Sequence, residues 1–516
     1  MRSPHSKKIM IKTLRQAVFL RLSLFLMTGV IIQTQADFFP YWIYIAVFSL
    51  LILSFSQIPK INTSYRWRWL FGLGLMLLCL SSAGVLTHVT WKQSEWTEES
   101  GFKNYLVQII DEPVRKPQTW MLKVKTGNKK TVIYLPVDSV SSALSPSDWI
   151  IIKTSFEKTN EFNLRKQGIA ARSFVSKSNW RKIESSSEQH LNLRFLSLKC
   201  RRILLNQLKE ILPDEKSFSV AAAILFGYSS EIDKETRQVF AATGTAHILA
   251  VSGMHFAIIY SILCFPFSFL GNTRQGRIIR QLTVLPLLWI FAFITGMPPS
   301  VIRAAVMITV WGIGNAFFFR ALTINTLGAA AFFMLLYNPL NLFNIGFQLS
   351  FSAVLAILLI NPYLTSLYRS RNPIFNYVWE LSCTSTTAQL GTAPFGLYYF
   401  HQFPVLYLIS NIFVIPLVGV LLVLIPSSLL LRLIFGNLQE LMFPLRKILL
   451  IMFNVLGSLS EIPNGVIDNI QLSVKDALNI ELGLIFSFLL LIKKRVIYLC
   501  LLIIVLALQV FYYLCT

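Results

Sequence analysis

Ser252 and His255 stand three residues apart in "HILAVSGMHFAII" (247–259), an otherwise apolar stretch that also carries His247. A hydroxyl within reach of an imidazole is the pairing of a nucleophile and its base. Read as one helix at about 100° per residue, Gly244, His247, Val251, Ser252 and His255 share a face. Four chemistries fit such a face. A dyad of Ser252 and His255 would make an intramembrane hydrolase, but it needs an oxyanion hole and an orienting group that the sequence does not supply. His247, His255 and His401 could ligate a metal, yet the membrane block offers them no carboxylate partners. The histidines could tie helices together by hydrogen bonds. Or they could line a polar, hydrated path, since hydrogen-bonding groups inside hydrocarbon face protein, water or substrate.

Three more segments place polar groups where lipid would reject them. In "TGMPPSVIRAAVM" (295–307) the Pro298-Pro299 pair breaks a helix, and Arg303 lies a turn inside the next one. "NIGFQLSFSAVL" (344–355) carries Gln348, Ser350 and Ser352. "CTSTTAQLGTAPFGLYYFHQFP" (383–404) holds Gln389, His401 and Gln402 in a run of Ser and Thr that must face protein or water. Together these favour the polar path, with His247, Ser252, Gly253, His255, Arg303, Gln348, Ser350, Gln389, His401 and Gln402 as lining or contact residues. No residue is assigned a catalytic role and no enzyme activity is expected.

The elements that position these residues are membrane helices. Of 516 residues, 54% are hydrophobic and 14% charged, against about a quarter charged in soluble domains. Apolar runs long enough for a bilayer core of roughly 30 Å recur throughout. The expected fold is a polytopic α-helical membrane protein of about 11–13 spans, with a β domain outside the membrane. Residues 1–90 hold the first transmembrane helices, at roughly 17–33, 41–57 and 69–89, the first read as a retained span and not a cleaved signal. Basic side chains in the amino terminus (Lys7, Lys8, Lys12, Arg15) and second loop (Lys60, Arg66, Arg68) mark the cytoplasmic side. Three crossings then place residue 90 outside.

Residues 91–190 turn polar and alternate over short runs such as "TWMLKVKT" and "DWIIIKTSF", the pattern of half-buried strands. Five strands predict a small barrel of OB type or a plain β-sandwich. Residues 90–210 carry 21 Lys and Arg against 12 Asp and Glu. A translocated domain has no topological reason to be basic, so polyanions are its natural partners. Tyr105, Trp120, Tyr134, Trp149, Phe156 and Phe174 could stack on bases or fill the core. Residues 191–215 read as an amphipathic helix on the membrane surface, and 216–516 as a second polytopic block.

The six cysteines (Cys79, Cys200, Cys264, Cys383, Cys500, Cys515) form no CxxC pair and suggest neither zinc nor a disulfide framework. "GNTRQGRI" has Arg277-Ile278 where a phosphate-binding loop needs Lys and Ser or Thr. No cluster of intramembrane carboxylates suggests an ion relay. Neither a cofactor nor a metal is expected, and any energy source lies in another protein.

Several stretches resemble the ComEC competence family in the same order. "FAATGTAHILAVSGMHFAII", "TGMPPSVIRAAVM", "NPLNLFNIGFQLSFSAVL" and "GTAPFGLYYFHQFPVLYLISNIFVIPL" are similar to segments of its membrane domain. "FNLRKQGIAARSFVSKSNW" resembles the end of its OB-like domain. The resemblance implies a bacterial inner-membrane channel that passes single-stranded DNA into the cytoplasm during natural transformation. It also implies membrane lipids, a cytoplasmic DNA-translocating ATPase and an extracytoplasmic DNA receptor as partners. Other members end in a metallo-β-lactamase-like domain with an HxHxDH metal site. These residues contain no such motif and only six histidines, so a short member without that nuclease is expected. A transporter or flippase for another anionic molecule is the alternative, and an intramembrane hydrolase using Ser252 and His255 a lesser one.

Overall fold

The structure is a computed structural model that describes residues 17–58, 67–96, 101–158 (apart from 112, 117, 128, 139–140, 142–143 and 147), 168–183, 193–316 (apart from 272), 323–436, 443–493 and 501–502. The basic amino terminus, Lys60 and Arg66 of the second loop, and the last apolar segment beyond 502 lie outside the described residues. The chain divides into two compact units, one of residues 19–202 and 328–344, the other centred on 203–327 and 345–516.

The first unit opens with three apolar helices, α1 (Val18–Gln35), α2 (Phe39–Ser56) and α3 (Arg68–Gln93), each long and apolar enough to cross a bilayer. Where α1 meets α2, the Trp42 indole N–H donates to Gln33 Oε1 at 2.6 Å and the Gln33 amide donates to Asp37 at 3.0 Å. These bonds satisfy polar groups that could not be left bare beside hydrocarbon.

The polar stretch that follows forms β1 (Lys103–Ile109), β2 (Val114–Arg115), β3 (Thr119–Thr126), β4 (Lys129–Pro136), β5 (Trp149–Thr154), β6 (Glu157–Lys158), β7 (Ile169–Phe174) and β8 (Trp180–Ile183). Alternation sends Val107, Ile109, Leu122, Val124, Ile150 and Ile152 into one apolar core. The five strands expected are eight. Their order is β6-β7-β4-β3-β1-β5-β8, with β2 on β3, all antiparallel except β4 and β7. Among the described residues the ladder does not close into the small OB-type barrel expected, because β6 and β8 at its two ends do not pair. The extra strands are short pieces of two to four residues that hydropathy patterning cannot resolve. On the outer side Tyr134 and Phe174, paired in register, stack with ring centroids 4.7 Å apart, and Phe174 is 65% exposed.

Beyond α4 (Leu193–Ile211), the second unit contains α5 (Glu215–Phe226), α6 (Lys234–Ala242), α7 (Gly253–Cys264), α8 (Arg274–Ile294) and α9 (Pro299–Ala316). After α10 (Thr323–Tyr337) come α11 (Ile345–Thr365), α12 (Pro373–Phe400), β9 (Phe403–Pro404), α13 (Tyr407–Phe435), α14 (Phe443–Ser460), β10 (Val466–Ile467) and α15 (Val474–Lys493). α5 is buried along nearly its whole length. Its alanines 221–223 admit Leu288, Val301, Val414 and Leu421 to a single apolar core.

Among the described residues eight helices are long and apolar enough to cross a membrane. The protein is therefore a polytopic helical membrane protein. α9, α12 and α15, of 18 to 28 residues, fall outside that set. The four described cysteines are free thiols.

α5 begins at Asp214, whose carboxylate accepts the Ser217 amide at 2.9 Å. Hydrogen bonds from Ser217, its side chain first and then its amide, hold the Asp214 carboxyl below its usual range. We expect Asp214→Ala to cost about 1 kcal/mol, read as a lower thermal midpoint of the detergent-solubilised protein, and Asp214→Asn to recover much of it. The charge contributes fully above the unfolded carboxyl pKa of about 3.9. It fades as pH falls through the lower folded value, so the gap between wild type and Asp214→Asn should close only in strong acid.

Candidate functional site

The stretch that carries His247, Ser252 and His255 is not one helix. α6 stops at Ala242, a 3₁₀ turn spans Ala246–Leu249, the chain extends at Ala250, and α7 starts afresh at Gly253. The shared helical face expected for 244–255 is thus corrected. Ser252 is the N-cap of α7 and His255 its third residue, and the two form a capping box. The Ser252 amide donates to His255 Nδ1 at 3.3 Å, and the Ser252 hydroxyl lies 2.6 Å from the same nitrogen. Two signals for this break were present in the sequence: Gly244, which adopts φ +74°, and Ser252 three residues before a side chain able to bond back.

Gly244 also explains how the turn is seated. A Cβ there would lie 2.7 Å from Tyr407 Cβ and 3.0 Å from Pro404, so only glycine lets the turn rest on the β9–α13 corner.

α8 ends in two left-handed residues, Gly296 (φ 82°) and Met297 (φ 53°), before Pro299 opens α9. This corner aims two side chains at the start of α7. The Ser300 hydroxyl donates to the Val251 carbonyl at 2.8 Å. Arg303 brings its Nη2 so close to Gly253 that a Cβ at 253 would stand 3.1 Å from it.

Arg303 is 5% exposed. Its Nη1 donates to the Ser350 carbonyl of α11 at 2.8 Å, and its guanidinium lies over the Phe351 ring at 5.9 Å. Among the described residues no carboxylate pairs with it, and its Nε is buried without a partner. Gln348, two residues before Ser350, accepts the Tyr399 hydroxyl of α12 at 2.9 Å. The four polar segments are therefore joined: 244–255 to 295–307 through Ser300 and Gly253, 295–307 to 344–355 through Arg303, and 344–355 to 383–404 through Gln348.

Not every residue expected here reaches the junction. His255 is fully buried, and its Nε2 has no partner. His247 is exposed, with Nδ1 3.2 Å from its own Gly244 carbonyl. His401 caps α12 in the left-handed region and is tied at 3.1 Å to the Ile470 carbonyl. The three histidines thus face different surroundings. Gln389 and Gln402 are half-buried, on α12 and just beyond it. Ser350 contributes its carbonyl.

Residues the sequence reading passed over include Ser300, Phe351, Tyr399 and a buried pair, Gln281 and Tyr260, joined at 2.7 Å. Gln281 closes a basic loop in the sequence, which hid its place inside α8. Beside the junction, α7 and α13 leave two adjoining apolar hollows of about 580 and 610 Å³, both lined by Met254, Ile258 and Val423.

A family model described as Competence protein matches residues 224–494, more than half of the chain and all four joined segments. The chain belongs to the ComEC competence family. It is 30% identical over 234 residues to ComE operon protein 3 of Bacillus subtilis, covering 45% of this chain and 29% of that protein. An uncharacterized protein of Aquifex aeolicus is 34% identical over 161 residues, 31% of this chain and 37% of the relative. The uncharacterized protein YcaI of Escherichia coli is 26% identical over 219 residues, 39% and 27% of the two chains. The aligned region spans about a third of each relative's length. No solved structure matches.

Because Ser252 caps a helix in this competence-family domain, we expect Ser252→Ala to cost about 1 kcal/mol. The thermal midpoint of the purified protein should fall accordingly, whereas Ser252→Thr should fall less. Equal midpoints for wild type and Ser252→Ala would show that the cap carries no stability.

Proposed function

We propose that this protein conducts single-stranded DNA across the bacterial inner membrane during transformation, as a channel and not as an enzyme. The observation that carries the reading is Arg303: a guanidinium inside the membrane block that reaches two other polar segments and, among the described residues, pairs with no carboxylate. A lone buried cation is costly unless the molecule that passes brings the opposite charge. Single-stranded DNA is such a polyanion. Membership of the competence family and the match to ComE operon protein 3 support DNA as that molecule.

The β domain has features of its own that suit a polyanion. Its strand order and single parallel pair are compatible with an OB-like arrangement. The stacked Tyr134 and Phe174 offer a base platform with Lys130 on the same strand as Tyr134, while the neighbouring Lys123 and Arg172 are ion-paired to Asp111 at 3.6 Å and Glu157 at 3.9 Å. The charge pattern of the flanking loops supports a position of this domain outside the membrane. A cytoplasmic ATPase supplies the pull, and an extracytoplasmic receptor delivers the strand. The purified full-length protein should bind single-stranded DNA without sequence preference and lose affinity steeply with salt. Phe174→Ala should weaken binding by about 1–3 kcal/mol. Affinity flat across salt would remove the β domain from the DNA path.

A transporter of another anion, such as a lipid-linked saccharide, is favoured by one observation, the apolar hollow between α7 and α13. Cellular uptake of labelled DNA separates the readings. At matched membrane expression Arg303→Glu, which sets an anion in the phosphate path, should abolish uptake, Arg303→Lys should retain part, and Ser252→Ala should retain most. Normal uptake in Arg303→Glu would refute the channel. An inactive Ser252→Ala beside it would point to covalent chemistry, where loss of a nucleophile costs orders of magnitude.

A further inference from the structure

We propose that the first turn of α7, His255 and Arg303 form a binding site for a single phosphate group, as a phosphodiester or as free phosphate. The capping box fixes the tautomer of His255. Nδ1 accepts the Ser252 amide and lies against the Ser252 hydroxyl, so the ring proton sits on Nε2. That Nε2–H is buried and has no acceptor among the described residues. The box also uses the amides of Ser252 and His255, leaving those of Gly253 and Met254 without a backbone acceptor among the described residues. The α7 N-terminus therefore presents main-chain donors and the positive end of the helix dipole.

Arg303 meets this helix end at Gly253. Two features of the same sign thus face each other with no negative group between them. Arg303 Nε is a second buried donor without an acceptor. The two unpaired side-chain groups where α7 meets α9, His255 Nε2 and Arg303 Nε, are both donors, so the site selects an acceptor-rich anion over a cation. One guanidinium beside a neutral imidazole matches the single charge of a phosphodiester, and the oxygens of a phosphate can take several N–H groups at once. Glycine at 253 leaves the main-chain donors reachable, where any Cβ would crowd Nη2. The proposal deepens the DNA-uptake reading and rests on it only for the source of the phosphate.

The test is the thermal midpoint of the detergent-purified full-length protein, titrated with inorganic phosphate at constant ionic strength, with chloride as control. A ligand of the folded state raises the midpoint saturably. We expect such a rise in wild type, its loss in Arg303→Gln, and a several-fold weaker response in His255→Phe and Gly253→Ala. If Arg303→Gln does not accumulate, Gly253→Ala carries the test. The absence of a saturable rise in wild type, or an equal rise in all variants, overturns the site.

Competition assigns the source. Displacement of phosphate by a short oligodeoxynucleotide supports the strand, and displacement by phosphatidylglycerol micelles supports a lipid headgroup in the same site. A phosphate response that Arg303 controls, together with normal DNA uptake by Arg303→Glu cells, would leave the site standing and refute the uptake reading.

Discussion

The junction of the membrane block is organised around a buried guanidinium, Arg303. Taking a guanidinium out of water costs several kcal/mol even after relaxation, and Arg303 recovers part of this from the Ser350 carbonyl and the face of Phe351. Both contacts are fixed only if α11 is held against α9. The start of α7 must also be held against α9, by Ser300 on Val251. The left-handed corner at Gly296 and Met297, the fresh start of α7 and the Gln348–Tyr399 bond all serve to bring helix ends and polar backbone to this cation.

The membrane helices and the β domain meet the same requirement, satisfied backbone, in different ways. Helices bond internally and can face lipid. Among the described residues the β domain pairs its backbone between strands and leaves β6 and β8 at the ends of the ladder.

Much of this was legible in the residues. The apolar runs expected at 17–33, 41–57 and 69–89 became α1, α2 and α3, because twenty apolar residues have few other fates. Arg303, Gln348, Ser252 and His255 were found because polar atoms in apolar runs must have partners. Their geometry was not legible. A helical wheel assumes that the helix continues, and Gly244 and Ser252 end one helix and begin another. His247 looked equivalent to His255 on that wheel, yet its side chain is exposed and held to the Gly244 carbonyl while His255 is buried. The acceptors were also hidden: Arg303 and Ser300 bond to backbone carbonyls, which every residue carries and no pattern advertises. In the β domain, strands of two residues leave no periodicity to read.

That last feature bears on how such a sequence can change over time. At the junction the donors are side chains, Ser300 and Arg303, while the acceptors are the main-chain oxygens of Val251 and Ser350. A main-chain oxygen survives any substitution that keeps the backbone in place. Positions 251 and 350 can therefore drift without loss of these two bonds, but 300 and 303 cannot. The inheritance of the site is one-sided, resting on the residues that give protons and on the shape of the chain that receives them.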